Sequence, residues 1–400
     1  MQNNEKSIVI FGAGKIGRSF IGQVFGKAGY NLTFIDVNTS MVDLLNQQKK
    51  YKIVIKSNVG DSSLYLDNLR GIYLSDKEKV AEAVSNAHLV SLSVGQQGLP
   101  SAIPLLAEGL QRRRNVHGEW PLDIIIAENM RNTDSFIKNR LKELLGKDFP
   151  VENMTGLIET SIGKMVPVMT IKDMKEDPLQ IFAEPYNDLI VSRSGFKNNI
   201  PQVRDLHPKE NIKAWVDRKL FVHNLGHSSA AYLGFAKNNQ YRYIYECMED
   251  AEVREQTLAA MHQSAKILQH LYPGEFSDQH LNQHITDLLE RFANRALKDT
   301  IFRVGCDLYR KLGPEDRFTT PLNGAFTHYK KFNHILKALR AGILFRPTDE
   351  QGNYFPRDMP FFEEAKKGEI HILKNICRFS DEFLNVIAPL LHEKKFNFMG

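Results

Sequence analysis

"SIVIFGAGKIGRSFIGQVFGKAGYNLTFID", residues 7–36, decides how the first half of the chain is read. Ser7 to Phe11 form a short apolar run rich in β-branched side chains. A run of that length suits a strand covered on both faces, as in a parallel sheet. Glycines follow at Gly12, Gly14 and Gly17, and apolar residues then recur at helical spacing until Gly29. The stretch closes on a second apolar strand that ends at Asp36. Strand, glycine turn, helix and strand make a β-α-β unit.

The glycine spacing carries a chemical reading. Gly12-Ala13-Gly14-Lys15-Ile16-Gly17 is G-x-G-x-x-G between a strand and a helix. In that context the glycines allow a tight turn and let a pyrophosphate approach the helix N-terminus. Asp36 lies 19 residues after Gly17, at the end of the second strand. A carboxylate there accepts both hydroxyls of a ribose and repels a 2′-phosphate, so NAD is the expected cofactor. Val94 and Gly95 follow the apolar strand "HLVSLSV" (88–94), and topology places them near the nicotinamide ribose.

Working outward, "YKIVIKSNVGDSSLYLDNLRGIYL" (51–74) alternates and breaks at "NVGD", the pattern of a hairpin. "LDIIIAENM" (122–130) is another buried strand, and a β-rich part continues to about residue 195. Beyond residue 205 helical patterns dominate. "YIYECMEDAEVREQTLAAMHQSAKILQHLY" (243–272) reads as one long helix without a breaker. Ser277 or Asp278, and Ser380 or Asp381, suit helix starts, and Pro347 stops "KKFNHILKALRAGILF". The expected fold is an α/β N-terminal Rossmann-type domain, a doubly wound sheet, over 1–205, followed by an all-α C-terminal domain over 206–400.

Composition narrows the partners. Net charge is +5 with acids and bases interspersed, and no basic block points to nucleic acid. Cys247, Cys306 and Cys377 are too dispersed for a disulfide framework or a metal site, which fits a reducing, cytoplasmic setting. The N-terminus shows no leader pattern and no stretch is long and apolar enough to span a bilayer, so no membrane partner is expected. A small-molecule substrate and a monomer or small homo-oligomer remain.

"RKLFVHNLGH" (218–227) places a lysine, an asparagine and two histidines ahead of the apolar "SSAAYLGF". On a helix of about 100° per residue, Lys219, His223, His227 and Asn224 fall at roughly 0°, 40°, 80° and 140°, one broad face. Burying an ammonium there costs free energy unless something compensates. Beside a nicotinamide such a lysine would serve as a general base, with the Asn224 amide near the developing oxyanion and His227 on a substrate hydroxyl. Spacing alone favours a surface lysine, a capping asparagine and a satisfied buried histidine.

"IVIFGAGKIGRSFIGQVFGKAGYNLTFIDVN", "AENM" and "RKLFVHNLGH" together resemble the polyol-specific long-chain dehydrogenases, the mannitol dehydrogenase family, over essentially the whole chain. The resemblance implies that K-x4-N-x2-H, matched by Lys219, Asn224 and His227, supplies general base, oxyanion donor and substrate contact. It adds Asn129 of "AENM" as a second oxyanion donor, and no metal. "RVGCDLYRKL" (303–312) matches a segment that lends positive side chains to the site. Arg303 and Lys311 match sugar-alcohol enzymes generally, and Arg310 resembles the phosphate-type members. The activity implied is interconversion of mannitol 1-phosphate and fructose 6-phosphate. Mannitol 2-dehydrogenase and reduction of a hexuronate, tagaturonate or fructuronate, are the alternatives within the family. A non-catalytic nucleotide-sensing protein is the alternative outside it. Gly163-Lys164 departs from the Asp-Arg that relatives commonly carry. His223 lies outside the pattern and reads as packing. His280 and His284, spaced i, i+4, are expected at the surface rather than on a metal.

Overall fold

The structure, a computed structural model, describes residues 6–129 and 132–391. The extreme N-terminus read for a leader, Met130 of "AENM" and the residues past Leu391 lie outside the described residues. The chain separates into two compact units, Met1–Trp215 and Val216–Gly400.

The first unit carries β1 (Ser7–Phe11), β2 (Asn31–Asp36), β3 (Tyr51–Ile55), β4 (Ser62–Leu66), β5 (Leu69–Tyr73), β6 (Leu89–Leu92), β7 (Leu122–Ile126), β8 (Thr155–Ser161), β9 (Ile181–Ala183), β10 (Leu189–Ser192) and β11 (Leu206–Lys209). Eight of them form one sheet in the order β11-β10-β8-β7-β6-β1-β2-β5. Neighbours run parallel except β10, which is antiparallel to β8. Because β11 pairs with β10, this unit extends past residue 205.

The opening apolar run is explained by its surroundings. Ile8 and Ile10 enter one core and Val9 and Phe11 the other, so successive side chains are buried on both faces. Helices α1 (Gly22–Lys27), α2 (Thr39–Gln48), α3 (Lys77–Asn86), α4 (Leu99–His117) and α5 (Thr133–Leu145) connect the strands. β1 lies between β2 and β6, the point where strand order reverses and where open parallel sheets bind ligands at their carboxyl ends.

The segment 51–74 departs from a simple hairpin. β3 and β4 do pair antiparallel, but β5 leaves them and joins β2 in the large sheet. Leu69, Gly71 and Ile72 are buried there, which the hairpin alone would leave half exposed. β3 instead gains β9, giving a small sheet β4-β3-β9.

Among the described residues the second unit is helical apart from the single bridge Tyr243–Thr300. α6 (Ile212–Arg218) leads into it, followed by α7 (Leu225–Lys237), α8 (Ile244–Glu249), α9 (Ala251–Leu271), α10 (Asp278–Phe292), α11 (Ile301–Gly305), α12 (Leu308–Lys311), α13 (Thr319–Thr327), α14 (Asn333–Ile343) and α15 (Asp381–Leu391). The thirty-residue helix expected over 243–272 is two helices. Asp250 takes an extended conformation and accepts the amides of Glu252 and Val253, capping α9 and breaking the run. Ser277 caps α10 by accepting the His280 amide at 3.1 Å. No described helix is long and apolar enough to cross a membrane.

Candidate active site

The glycine loop is tightly constrained and open on one side. Gly12 sits at φ +96°, and a Cβ there would meet the Ser93 carbonyl oxygen at 2.4 Å. A Cβ on Gly17 would lie 1.9 Å from the Gly12 carbonyl oxygen, so helix and turn touch backbone to backbone. A Cβ on Gly14 would meet nothing within 4 Å, leaving room for a ligand at the helix start. Beneath the turn, the buried Arg18 donates to the Ala13 carbonyl at 2.6 Å and to the Leu179 carbonyl at 2.5 Å. Lys15 is exposed on the loop, and Ile16 packs against the core.

Asp36 ends β2 with its Oδ2 accepting the Ala13 amide at 2.6 Å and its Oδ1 accepting the Asn38 amide at 2.8 Å. The carboxylate thus joins the glycine turn to the second strand. It also lines a cleft of about 380 Å³ with Tyr73, Ser75, Lys77, Pro104 and Glu108. That volume lies within the range of small-molecule sites. Turn, open Gly14 edge and cleft therefore fit a dinucleotide.

At the carboxyl end of β7, Glu128 accepts the amides of Val94 and Gly95 at 2.8 and 2.9 Å. Burial pushes its carboxyl up to about 6, against the pull of those two amides. Asn129, next to it, is exposed. Glu128 was not singled out from sequence, although an acid beside an asparagine at a strand end was its signal.

In the second unit, the segment expected as a plain α-helix contains a π turn over Lys219–Asn224, between α6 and α7. The Leu225 amide reaches back five residues to the Leu220 carbonyl. In an α-helix residues five apart point about 140° apart. In a π turn the i→i+5 repeat turns them toward the same side, so Lys219 and Asn224 point in closer directions than on an α-helix. Both are partly buried. Burial first, then the positive charges of Arg317 and Arg310, bring the Lys219 ammonium down to about 8, with Asp316 opposing.

One α-helical turn after His223, His227 is held on two sides. Its ring stacks on Phe292 at 4.7 Å between centroids and 5° between planes. Its Nε2 lies 3.2 Å from Oδ2 of the buried Asp299. Burial holds the imidazole below its usual value despite Asp299. The Asp299 carboxylate, which burial alone would raise, is kept below the ordinary range by His227 and Arg303. His223 is buried 5.7 Å from the Phe292 ring. His280 and His284, expected at the surface, are instead partly buried, and His280 Nε2 lies 3.0 Å from Arg218 Nη1. Among the described residues no three His, Cys, Asp or Glu side chains are grouped to hold a metal.

The cationic segment is already engaged. Arg303 is exposed and donates to Asp299 Oδ1 at 2.5 Å. Arg310 is exposed and donates to Asp307 Oδ2 at 2.5 Å, with Asp316 at 3.6 Å. Lys311 is buried, donates to the Val304 carbonyl at 2.6 Å, and is brought down to about 7 by burial and by Arg317. In the first unit Lys164, at the departure from Asp-Arg, is buried and donates to Gln23 and Asn187 at 2.9 and 2.8 Å.

Comparison with known proteins matches residues 6–205 to the mannitol dehydrogenase Rossmann domain and residues 211–379 to the mannitol dehydrogenase C-terminal domain. The chain belongs to the mannitol dehydrogenase family. Among its family relatives, mannitol-1-phosphate 5-dehydrogenase of Geobacillus stearothermophilus is 32% identical over 84% of this chain and 87% of its own. The enzyme of the same name from Enterococcus faecalis is 31% identical over 86% and 88%. Of solved structures, substrate-free D-sorbitol dehydrogenase superposes with TM-score 0.79 at 16% identity, covering 99% of this chain and 97% of that one. Pseudomonas fluorescens mannitol 2-dehydrogenase, in ternary complex with NAD and D-mannitol, gives TM-score 0.73 at 15% identity over 97% and 91%. These two likenesses establish the shared fold of the family.

Asp299 and Arg317 went unnoticed in the sequence. Asp299 sits four residues before Arg303, a spacing that on a helix faces it, but its link to His227 spans 72 residues and leaves no local trace.

Proposed function

We propose that this chain is an NAD-dependent dehydrogenase that interconverts mannitol 1-phosphate and fructose 6-phosphate, with Lys219 as general base. The observation that carries the chemistry is the π turn, which turns Lys219 and Asn224 toward the same side, with burial bringing the lysine down to about 8. The substrate class follows the names of the relatives at 31–32% identity. NAD, when bound, accepts or donates the hydride. Gly12, Ala13, Gly14, Lys15, Ile16 and Gly17 would hold its pyrophosphate, Asp36 its adenosine ribose, and Val94 and Gly95 its nicotinamide side.

The neutral Lys219 amine takes the proton of the hydroxyl being oxidised, and its ammonium returns that proton when the ketone is reduced. Asn224 donates its amide N–H to the same oxygen as charge develops, with Asn129 as a second donor. With Nε2–H of His227 donated to Asp299, Nδ1 is left as the acceptor for a substrate hydroxyl. A phosphate dianion competes with Asp299 and Asp307 for Arg303 and Arg310, and its charge favours the ammonium of Lys311. In this reading 1–205 serves the cofactor and 206–400 the substrate. Three free, buried cysteines fit a reducing compartment, and we assign the cytoplasm.

The test is NADH oxidation with fructose 6-phosphate as acceptor, mannitol 1-phosphate being identified as the product. Arg310→Ala should lower kcat/KM for fructose 6-phosphate by on the order of tenfold to a hundredfold, the value of one charge-assisted contact. It should leave fructose nearly unaffected. Equal losses on both sugars would remove the phosphate from the reading.

A further inference from the structure

Arg317 is a charged side chain only 7% exposed, on the short loop before α13. Its Nε donates to Asp316 Oδ1 at 2.8 Å. Its Nη1 donates to Ser228 Oγ at 3.1 Å and points to the Asn224 carbonyl at 3.4 Å. Asn224 is the last residue of the π turn and Ser228 lies in the first turn of α7. One guanidinium therefore bridges the joint between the two helical registers. The joint has a second support, the Ser264 hydroxyl of α9 donating to the Phe221 carbonyl at 2.7 Å. If the turn relaxed to α-helix, Asn224 would swing about 140° from Lys219.

Arg317 also stands among the charges that act on Lys219. It and Arg310 disfavour the ammonium, and Asp316 favours it. Within the turn His223 is held well below its usual range by burial and then by Arg291, so it remains uncharged. α10 brings His284, itself kept neutral by burial and by Arg218 and Arg291. Of these groups only Arg317 both contacts the turn's backbone and carries a charge that bears on its lysine.

We propose that Arg317 is a positioning residue for the reaction: through the Asn224 carbonyl and the Ser228 hydroxyl it holds the π turn in the register that turns Asn224 to the side of Lys219. The inference rests on Lys219 being the base, and the variants below separate the two. Removing the charge with Arg317→Gln should move the ionisation seen in alcohol oxidation upward by roughly one pH unit. It should also lower kcat by tenfold or more, with the Kd for NADH unchanged. Arg317→Lys keeps the charge but loses the fork, so kcat should fall while the ionisation stays in place. Asp316→Asn removes the charge that favours the ammonium at almost constant shape, so the ionisation should move downward. If Arg317→Gln does not fold, Arg317→Lys still decides: a native kcat in that variant would overturn the inference. A merely structural arginine would lower thermal stability in its variants and leave the ionisation where it is. Lys219→Ala is the control. If it abolishes the ionisation but neither Arg317→Gln nor Asp316→Asn moves it, the inference about Arg317 fails alone. If Lys219→Ala keeps both turnover and ionisation, the base is misassigned and the inference falls with it.

Discussion

A free lysine gives up its proton near pH 10.4, whereas burial and the neighbouring Arg317 bring Lys219 to about 8. The sign of the pH dependence follows. Below about pH 8 the ammonium predominates and above it the neutral amine, so alcohol oxidation should rise with pH through this group and ketone reduction should fall. Lys219→Ala should lower kcat in both directions by roughly 10²–10⁴-fold with NADH binding intact. Near-native kcat with the same ionisation would transfer the role to His227. Asp36 belongs to the same scale. Its carboxylate is tied to the Ala13 amide at 2.6 Å, so Asp36→Ala should weaken NAD(H) use and relax the exclusion of NADP(H). A native preference for NADP(H), measured as the ratio of kcat/KM values, would contradict its assignment. Asp36 was legible because strand end and glycine spacing locate it in sequence. Arg317 was not, because its reach to Asn224 spans 93 residues.

At the scale of elements, the strand–turn–helix of residues 7–36 could be read directly, since periodicity and glycine spacing are local. The π turn could not. Nothing in "KLFVHN" distinguishes α from π, because the wider turn depends on partners from elsewhere, such as Ser264 on α9. The wheel drawn at 100° per residue consequently put Lys219 and Asn224 far apart on a broad face, and the observed turn narrows the angle between them. The break at Asp250 was hidden for another reason. An aspartate inside an amphipathic run is unremarkable until its neighbours unwind, and only then does its side chain cap the next helix. Asp250→Ala should cost about 1 kcal/mol from the lost cap, read as a shift in denaturant midpoint with unchanged slope. An unshifted midpoint would mean that packing of α9 alone ends α8. β5 illustrates the same limit: the alternation of 51–74 reveals strands but not which sheet each one joins.

For the whole molecule, the doubly wound sheet and the helical second unit followed from patterns repeated over many residues. Family models covering residues 6–205 and 211–379 agree with that architecture. Substrate identity is not a property of the architecture, since folds of this kind also serve D-sorbitol dehydrogenase and mannitol 2-dehydrogenase. In the function proposed above it depends on whether Arg303, Arg310 and Lys311, each engaged by a protein oxygen, are redirected to a phosphate. The most direct test is to measure NADH oxidation with fructose 6-phosphate, fructose and tagaturonate side by side at matched concentrations. Two or three charge-assisted contacts to a phosphate predict a kcat/KM for fructose 6-phosphate at least about a hundredfold above that for fructose, and no useful rate with tagaturonate. Equal rates on fructose and its phosphate, faster turnover of tagaturonate, or tight NADH binding with no turnover of any of the three would contradict the account.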